Sequence, residues 1–403
     1  MEVMYKQHPI EYVDSETVCI ICRQTFDNSK KYSIQCDHCS IWYHGECINV
    51  PEYLSEEIDK FYCPNCQYKL GPPILKKFTN DHRHNKIDPH ADNKPTQSGT
   101  PKFVRELKQK HFQDGKQVIK CMRGQQLSLS YLNQNGFDTP IFVESKDGLG
   151  LVLPKENTFS YDSLLQYIDN DYGLDVIDVT RQMNTKMALK QFIDKIKVPI
   201  QDRTDVYNCI SLEISESPLS KLIGPPNIVS KLCWVENYWP KVDVSPKVQK
   251  YCLMSMQDSY TDFHIDFGGT TVWYHILKGE KMFYLIKPTF ENLKKYEDWM
   301  GRSDSSEMFL GDYVDACYKL LVCAGQTLFI PTGWIHAVLT ITDSIVFGGN
   351  FLHSLNIHLQ LQVYQIEQRI KTPNKFTFPY FELTNWYAAP NVFRLIQEHL
   401  KER

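Results

Sequence analysis

Thr261-Asp262-Phe263-His264-Ile265-Asp266-Phe267-Gly268-Gly269, taken with Phe329-Ile330-Pro331-Thr332-Gly333-Trp334-Ile335-His336, decides the fold of this chain. Together the two stretches offer two imidazoles and one carboxylate, the donor set of a non-haem ferrous oxygenase. Side chains alternate faces along an extended strand, so His264 and Asp266 at i and i+2 point the same way and can grip one ion. The third donor, His336, must then arrive from another strand.

The triplet alone carries little weight. With 13 His and 48 Asp and Glu in 403 residues, one or two His-x-Asp/Glu triplets are expected by chance, and the chain has three. His44-Gly45-Glu46 falls in a cysteine-rich segment and His90-Ala91-Asp92 in a polar one; only His264-Ile265-Asp266 sits among β-formers. Downstream, Thr271 to Leu277 reads as a strand, Lys278-Gly279-Glu280 as a turn, and Lys281 to Ile286 as the return strand. His336 follows a strand, Thr327 to Ile330, and a Pro-Thr-Gly turn. A ligand pair early in an antiparallel barrel and one His late in it is how a jelly roll closes on a metal. The competing reading makes these ordinary strand-end histidines bonded to backbone, and the strand context of all three positions together weighs against it.

A second metal module opens the chain. Seven of the 13 cysteines precede residue 67: Cys19, Cys22, Cys36, Cys39, Cys47, Cys63 and Cys66, with His44 among them. Their spacing supplies eight ligands, enough for two tetrahedral zinc ions. At this density zinc, rather than an apolar core, holds the module together. A disulfide framework would need an oxidising compartment, whereas the N-terminus lacks an apolar signal core and no run of about 18 apolar residues occurs, so a soluble intracellular protein without membrane contact is expected. The six scattered cysteines read as core residues.

Length and a 42% hydrophobic content suit two or three domains. Residues 67–100 are polar and rich in turn formers, a linker. Thr100-Pro101 starts a helix that Gly115 ends. Short apolar runs from about 118 to 200, Val176-Ile177-Asp178-Val179 among them, indicate mixed α/β structure beside the barrel. After His353 a helix is expected with Ile357, Leu361, Tyr364 and Ile370 on its apolar face, and a last helix near Val392 to Leu400. A net charge of −4 without a basic stripe argues against sequence-specific DNA binding and suits a basic peptide partner.

A facial triad leaves coordination positions for 2-oxoglutarate and dioxygen. The far carboxylate of that cosubstrate needs a fixed cation and hydroxyl donors, for which Lys281, Thr261 and Tyr274 are placed.

The zinc-ligand order, with histidine in fifth place and Phe61 two residues before Cys63, resembles a plant homeodomain (PHD) finger rather than a RING finger. The order finger, linker, barrel, with Asp258 to Gly269, Gly279-Glu280-Lys281, Ile330 to Val338 and Phe347 to His353, is similar to the PHD-finger Jumonji-C (JmjC) histone lysine demethylases. The resemblance implies an α+β multidomain chain: an extension (1–16), a PHD finger (17–68), a linker (69–100), a JmjC double-stranded β-helix, or jelly-roll, domain with a mixed flank (101–353, barrel core about 205–353) and C-terminal helices (354–403). It pairs Cys19, Cys22, His44 and Cys47 on one zinc and Cys36, Cys39, Cys63 and Cys66 on the other. It gives His264, Asp266 and His336 to Fe(II), Thr261, Tyr274, Lys281 and Asn208 to 2-oxoglutarate, and Tyr251, Ile265 and Asn350 to the methyl-lysine pocket. Trp42 matches a cage position of fingers that read trimethyl-lysine, but Val18 and Ser33 depart from that cage, leaving Phe26, Tyr32 or Tyr12 to compensate. The implied activity is removal of methyl groups from mono- or dimethyl-lysine 9 or 27 of histone H3 by N-methyl hydroxylation with formaldehyde release, in the nucleus, the finger anchoring the H3 tail of a nucleosome. Alternatives are a chromatin reader with a silent barrel, a JmjC protein hydroxylase, and a RING-like ubiquitin ligase, the last disfavoured by the ligand order.

Overall fold

The computed structural model describes residues 18–26, 32–50, 52, 55, 58–75, 98–179, 183–241 and 244–401. Most of the expected linker and Tyr12 lie outside them. Two compact units divide the chain, the smaller holding the cysteine-rich segment up to Phe78 and the larger nearly everything after it. Among the described residues no helix is long and apolar enough to cross a membrane.

The smaller unit has little secondary structure: Ser33–Gln35 pairs antiparallel with Trp42–His44, Ile58–Lys60 with Ile74–Leu75, and a short helix spans Pro64–Leu70. Its buried cluster is Cys36, Tyr43, Phe61 and Cys63. Two of those four are candidate metal ligands, so the apolar part alone is too small to hold a fold.

The larger unit is built on β1 (Tyr260–His264), β2 (Thr271–Ile286), β3 (Tyr318–Cys323), β4 (Thr327–Ile330) and β5 (Ile335–Phe351). The long strands β2 and β5 pair with each other along their whole length, from Thr271 opposite Phe351 to Ile286 opposite Ile335. The first half of β2 also pairs with β4, and its second half with β3. Likewise β5 takes β1 near its start and Tyr251–Ser255 near its end. Two strands thus pass together from one sheet to the other, the jelly-roll arrangement. Between them lie Val272, Ile276, Phe283, Leu285, Leu328, Ile330, Val338 and Val346. Tyr207–Glu213, Gly173–Asp178 and Met183–Ala188 extend one edge, and Ile141–Val143 and Lys120–Met122 the other, so residues before 205 join the same sheet as the barrel.

Four expectations are corrected. Lys278-Gly279-Glu280 is not a hairpin turn but the bend in a single 16-residue strand. Gly279, at φ +86, and register shifts on both sides absorb the extra residues as bulges; the same glycine that suggests a turn serves a bulge, and only the shared partner β5 separates the two. The helix begun at Thr100, whose Oγ1 accepts from the Phe103 N–H at 3.3 Å, stops at Gln109 rather than Gly115. The chain turns extended there, and Phe112 packs edge-on against Tyr284 at 4.9 Å. Helix α1 (Ile357–Arg369) buries Gln360, Val363, Ile366 and Glu367, while Leu361 is exposed; two polar side chains with tertiary partners take the inner face. Finally, α2 spans Phe381–Lys401 and runs through Pro390, beginning well before Val392 because Phe381 and Ala388 seat its first turns in the main core.

Candidate functional site

His264 is the last residue of β1 and His336 the second of β5, and the two are register partners. Asp266 lies just beyond the strand, at φ −59 and ψ 138, where it opens the turn Phe267–Gly269. The i, i+2 spacing therefore works through a strand end rather than within a strand. One donor atom from each of His264, Asp266 and His336 lies within 4.8 Å of the others. The His336 Nε2 is 3.7 Å from Asp266 Oδ2, and the imidazole centroids are 4.2 Å apart.

Backbone carbonyls fix both rings. Nδ1 of His264 donates to the Asp262 carbonyl at 2.8 Å and Nδ1 of His336 to that of Trp334 at 3.1 Å. Each Nε2 is left with a lone pair turned toward the cluster. Burial pushes both imidazoles down in pKa, and it pushes the Asp266 carboxyl up against the pull of His264 and Asn350. Neutral imidazoles and a carboxylate whose ionisation burial opposes are a donor set that a divalent cation completes, because the cation supplies the missing charge. The residues fit ferrous iron.

Along β5, His336, Val338 and Thr340 share a face, spanning about 13 Å from first to last. Thr340 Oγ1 accepts from Lys281 Nζ at 2.8 Å and lies 2.7 Å from Ser259 Oγ. Lys281 is 3% exposed, and no carboxylate among the described residues pairs with it. Burial lowers its pKa to about 7. A buried lysine without a counter-ion is expensive, and an incoming carboxylate relieves that cost. Thr261 is buried directly opposite Val338 in the strand register, accepting from Asn208 Nδ2 at 2.9 Å, while Ser255 donates to Asn208 Oδ1 at 2.6 Å. Tyr274 stands edge-on to Phe283 at 5.2 Å and burial pushes its phenol up.

Tyr251 pairs with Gly348 on one side and Glu213 on the other. Burial raises its phenol pKa, and the charges of Glu213 and Asp266 add to the effect, which places it near the triad. Asn350 Nδ2 donates to Thr270 Oγ1 at 2.9 Å, and Ile265 sits between two of the triad residues, half-buried.

In the smaller unit, Cys19, Cys22, His44 and Cys47 form one cluster and Cys36, Cys39, Cys63 and Cys66 another, the interleaved pairing that the resemblance implied. Against burial, backbone N–H donors hold the Cys19 thiol at about 7 and Cys36 at about 6; the His44 N–H lies 3.4 Å from Cys19 Sγ and the Cys63 N–H 3.2 Å from Cys36 Sγ. Both clusters fit tetrahedral zinc. Phe26 and Trp42 lie with ring centroids 6.3 Å apart and planes tilted by 58°. Val18 bridges to Thr25 and Ser33 pairs with His44, while Tyr32 packs on Gly45.

Thr340, Ser255 and Glu213 were not among the expected residues. The two-residue period from His336 reaches Thr340 and could have found it; Ser255 and Glu213 carry no local signal.

Three segments of the chain match known protein families. Residues 19–66 match the PHD-finger family, 251–351 the JmjC domain, hydroxylase, and 355–403 the Jumonji helical domain. Lysine-specific demethylase 7A of Homo sapiens is 50% identical over 383 residues, covering 94% of this chain and 40% of that protein. Lysine-specific demethylase 7B of Danio rerio is 49% identical over 384 residues, 95% of this chain and 66% of its own length. Histone lysine demethylase PHF8 of Danio rerio is 47% identical over 391 residues, 96% and 38% respectively. The chain thus spans less than two thirds of each of these relatives.

Proposed function

The chain belongs to the PHD-finger JmjC histone lysine demethylases, and from that membership and the geometry of the triad we propose that it demethylates mono- and dimethyl-lysine 9 or 27 of histone H3. The observation that carries this reading is the pairing of a complete two-His, one-Asp cluster with a buried lysine that has no counter-ion among the described residues. His264, Asp266 and His336 hold Fe(II). When bound, iron, 2-oxoglutarate and dioxygen supply hydroxylation of an N-methyl group, whose product sheds formaldehyde. Lys281 neutralises the far carboxylate of 2-oxoglutarate, with Thr261, Tyr274 and Asn208 directing hydrogen bonds to it. The Ser255 hydroxyl on Asn208 Oδ1 turns that amide so its N–H₂ faces Thr261.

Tyr251, Ile265 and Asn350 line the methyl-lysine pocket, Tyr251 and Ile265 half-buried and Asn350 buried. The finger docks the H3 tail and raises the local concentration of a methyl-lysine at the barrel, with Phe26 and Trp42 as two ring walls for a cationic side chain. Such a substrate places the protein in the nucleus, on chromatin. The test is mass spectrometry of H3 peptides dimethylated at lysine 9 or 27, incubated with the protein, ferrous iron, ascorbate and 2-oxoglutarate. Stepwise loss of methyl mass that disappears without 2-oxoglutarate is expected. A gain of one oxygen in mass would instead indicate a protein hydroxylase, and no change in iron-loaded protein a reader.

A further inference from the structure

Asp266 is the one candidate iron ligand outside a strand, so no ladder of sheet hydrogen bonds fixes it. The turn that follows uses Gly268 and Gly269 at φ +61 and +62, a left-handed pair open to glycine. Left to itself this is a compliant segment, yet it carries the only carboxylate of the triad.

Besides Asn350, which reaches the Asp266 carboxyl and Thr270, two side chains remote in sequence hold it. On one side, the Tyr296 hydroxyl meets the backbone of Ile265, the residue before Asp266. On the other, the Gly268 N–H donates to Glu367 Oε1 at 2.8 Å, from the inner face of α1. Glu367 is 7% exposed, and its second oxygen has no hydrogen-bond partner. The C-terminal helices pack closely on the turn: a Cβ on Gly269 would stand 3.0 Å from the Gln360 Cα, and one on Gly268 2.9 Å from the Phe381 Cδ2. Gln360 is itself anchored, donating to the His353 carbonyl at 2.9 Å. An apolar residue would fill the Glu367 position at far lower desolvation cost. Among the described residues the acid there makes one side-chain hydrogen bond, and it is with the metal-bearing turn.

We propose that Glu367, supported by Tyr296, is a positioning residue that sets the geometry of Asp266 toward the metal, so that the C-terminal helical segment tunes metal affinity. The proposal rests on Asp266 being a metal ligand. Its test uses the full chain with zinc retained and manganese(II) in place of iron, binding being read from loss of the free-ion electron paramagnetic resonance signal. Loss of a hydrogen bond that orients a metal ligand weakens binding by roughly tenfold to a hundredfold. Glu367→Leu, which removes the acceptor, is expected to show that loss, and Glu367→Gln, which keeps an acceptor oxygen, to stay within about threefold of the parent. With ferrous iron, Glu367→Leu should raise the iron concentration needed for half-maximal succinate formation more than it lowers the saturated rate.

Unchanged manganese affinity in Glu367→Leu would overturn the proposal, as would equal impairment of the Leu and Gln variants, which would mean packing alone. Should Glu367→Leu not fold, Glu367→Asp, which withdraws the acceptor by one methylene, is expected to show the loss, and parental affinity there overturns the proposal equally. Asp266→Ala separates the premise: if it binds manganese like the parent, the ligand assignment fails rather than the positioning role.

Discussion

At the scale of single residues, the site works by leaving buried charge to be completed by its ligands. His336→Ala removes one of two neutral imidazoles, and succinate formation should fall below detection even at saturating iron, with zinc content unchanged. Lys281→Met should raise the KM for 2-oxoglutarate by roughly a hundredfold or more, since the cosubstrate carboxylate then loses its buried cation. A pH signature follows from the Lys281 ammonium, held at about 7 by burial. A bound dianion favours the charged form, so the complex keeps its proton to higher pH than the free enzyme does. Between those two values binding takes up a proton, and affinity should fall up to about tenfold per pH unit above pH 7. Calorimetry in buffers of different ionisation enthalpy reads that uptake directly, and Lys281→Met should lose it. The carriers of this chemistry were legible because ligand types, strand alternation and a motif coincide on them. Glu367 and Ser255 were not legible, since their roles exist only through partners far away in sequence.

At the scale of elements, the bend at Gly279 matters most. It lets β2 and β5 serve both sheets, and so brings Lys281 and His336 to one face of the same pair of strands. A side chain there meets positive φ and the Asp343 carbonyl, with the Ser344 Cβ at 2.8 Å. Gly279→Ala should cost about 1–3 kcal/mol, seen as a lower denaturant midpoint for the larger unit. The sequence marked this glycine as a turn. Turn and bulge make the same local demand on the backbone, and the choice between them belongs to the partner strand. The C-terminal helices teach the same lesson: the sequence points to a start near Val392, yet the helix begins at Phe381 and runs through Pro390, with Phe381 and Ala388 seated in the core.

At the scale of the whole molecule, the two units are stabilised by different physics. The larger has extensive apolar clusters, whereas the smaller depends on eight metal-ligating side chains. Stripping zinc with a strong chelator should therefore unfold the smaller unit and expose it to protease while the thermal transition of the larger persists; intact protein should hold two zinc ions per chain by elemental analysis. The sequence by itself determined the ligand types, the zinc module, the alternation of strands and the family, because each is written in residue identity and short-range spacing. Only the tertiary structure decided that a glycine bends one strand rather than ending it, which face of α1 is buried, and which distant acid braces Asp266, because each depends on what a segment meets across space rather than along the chain.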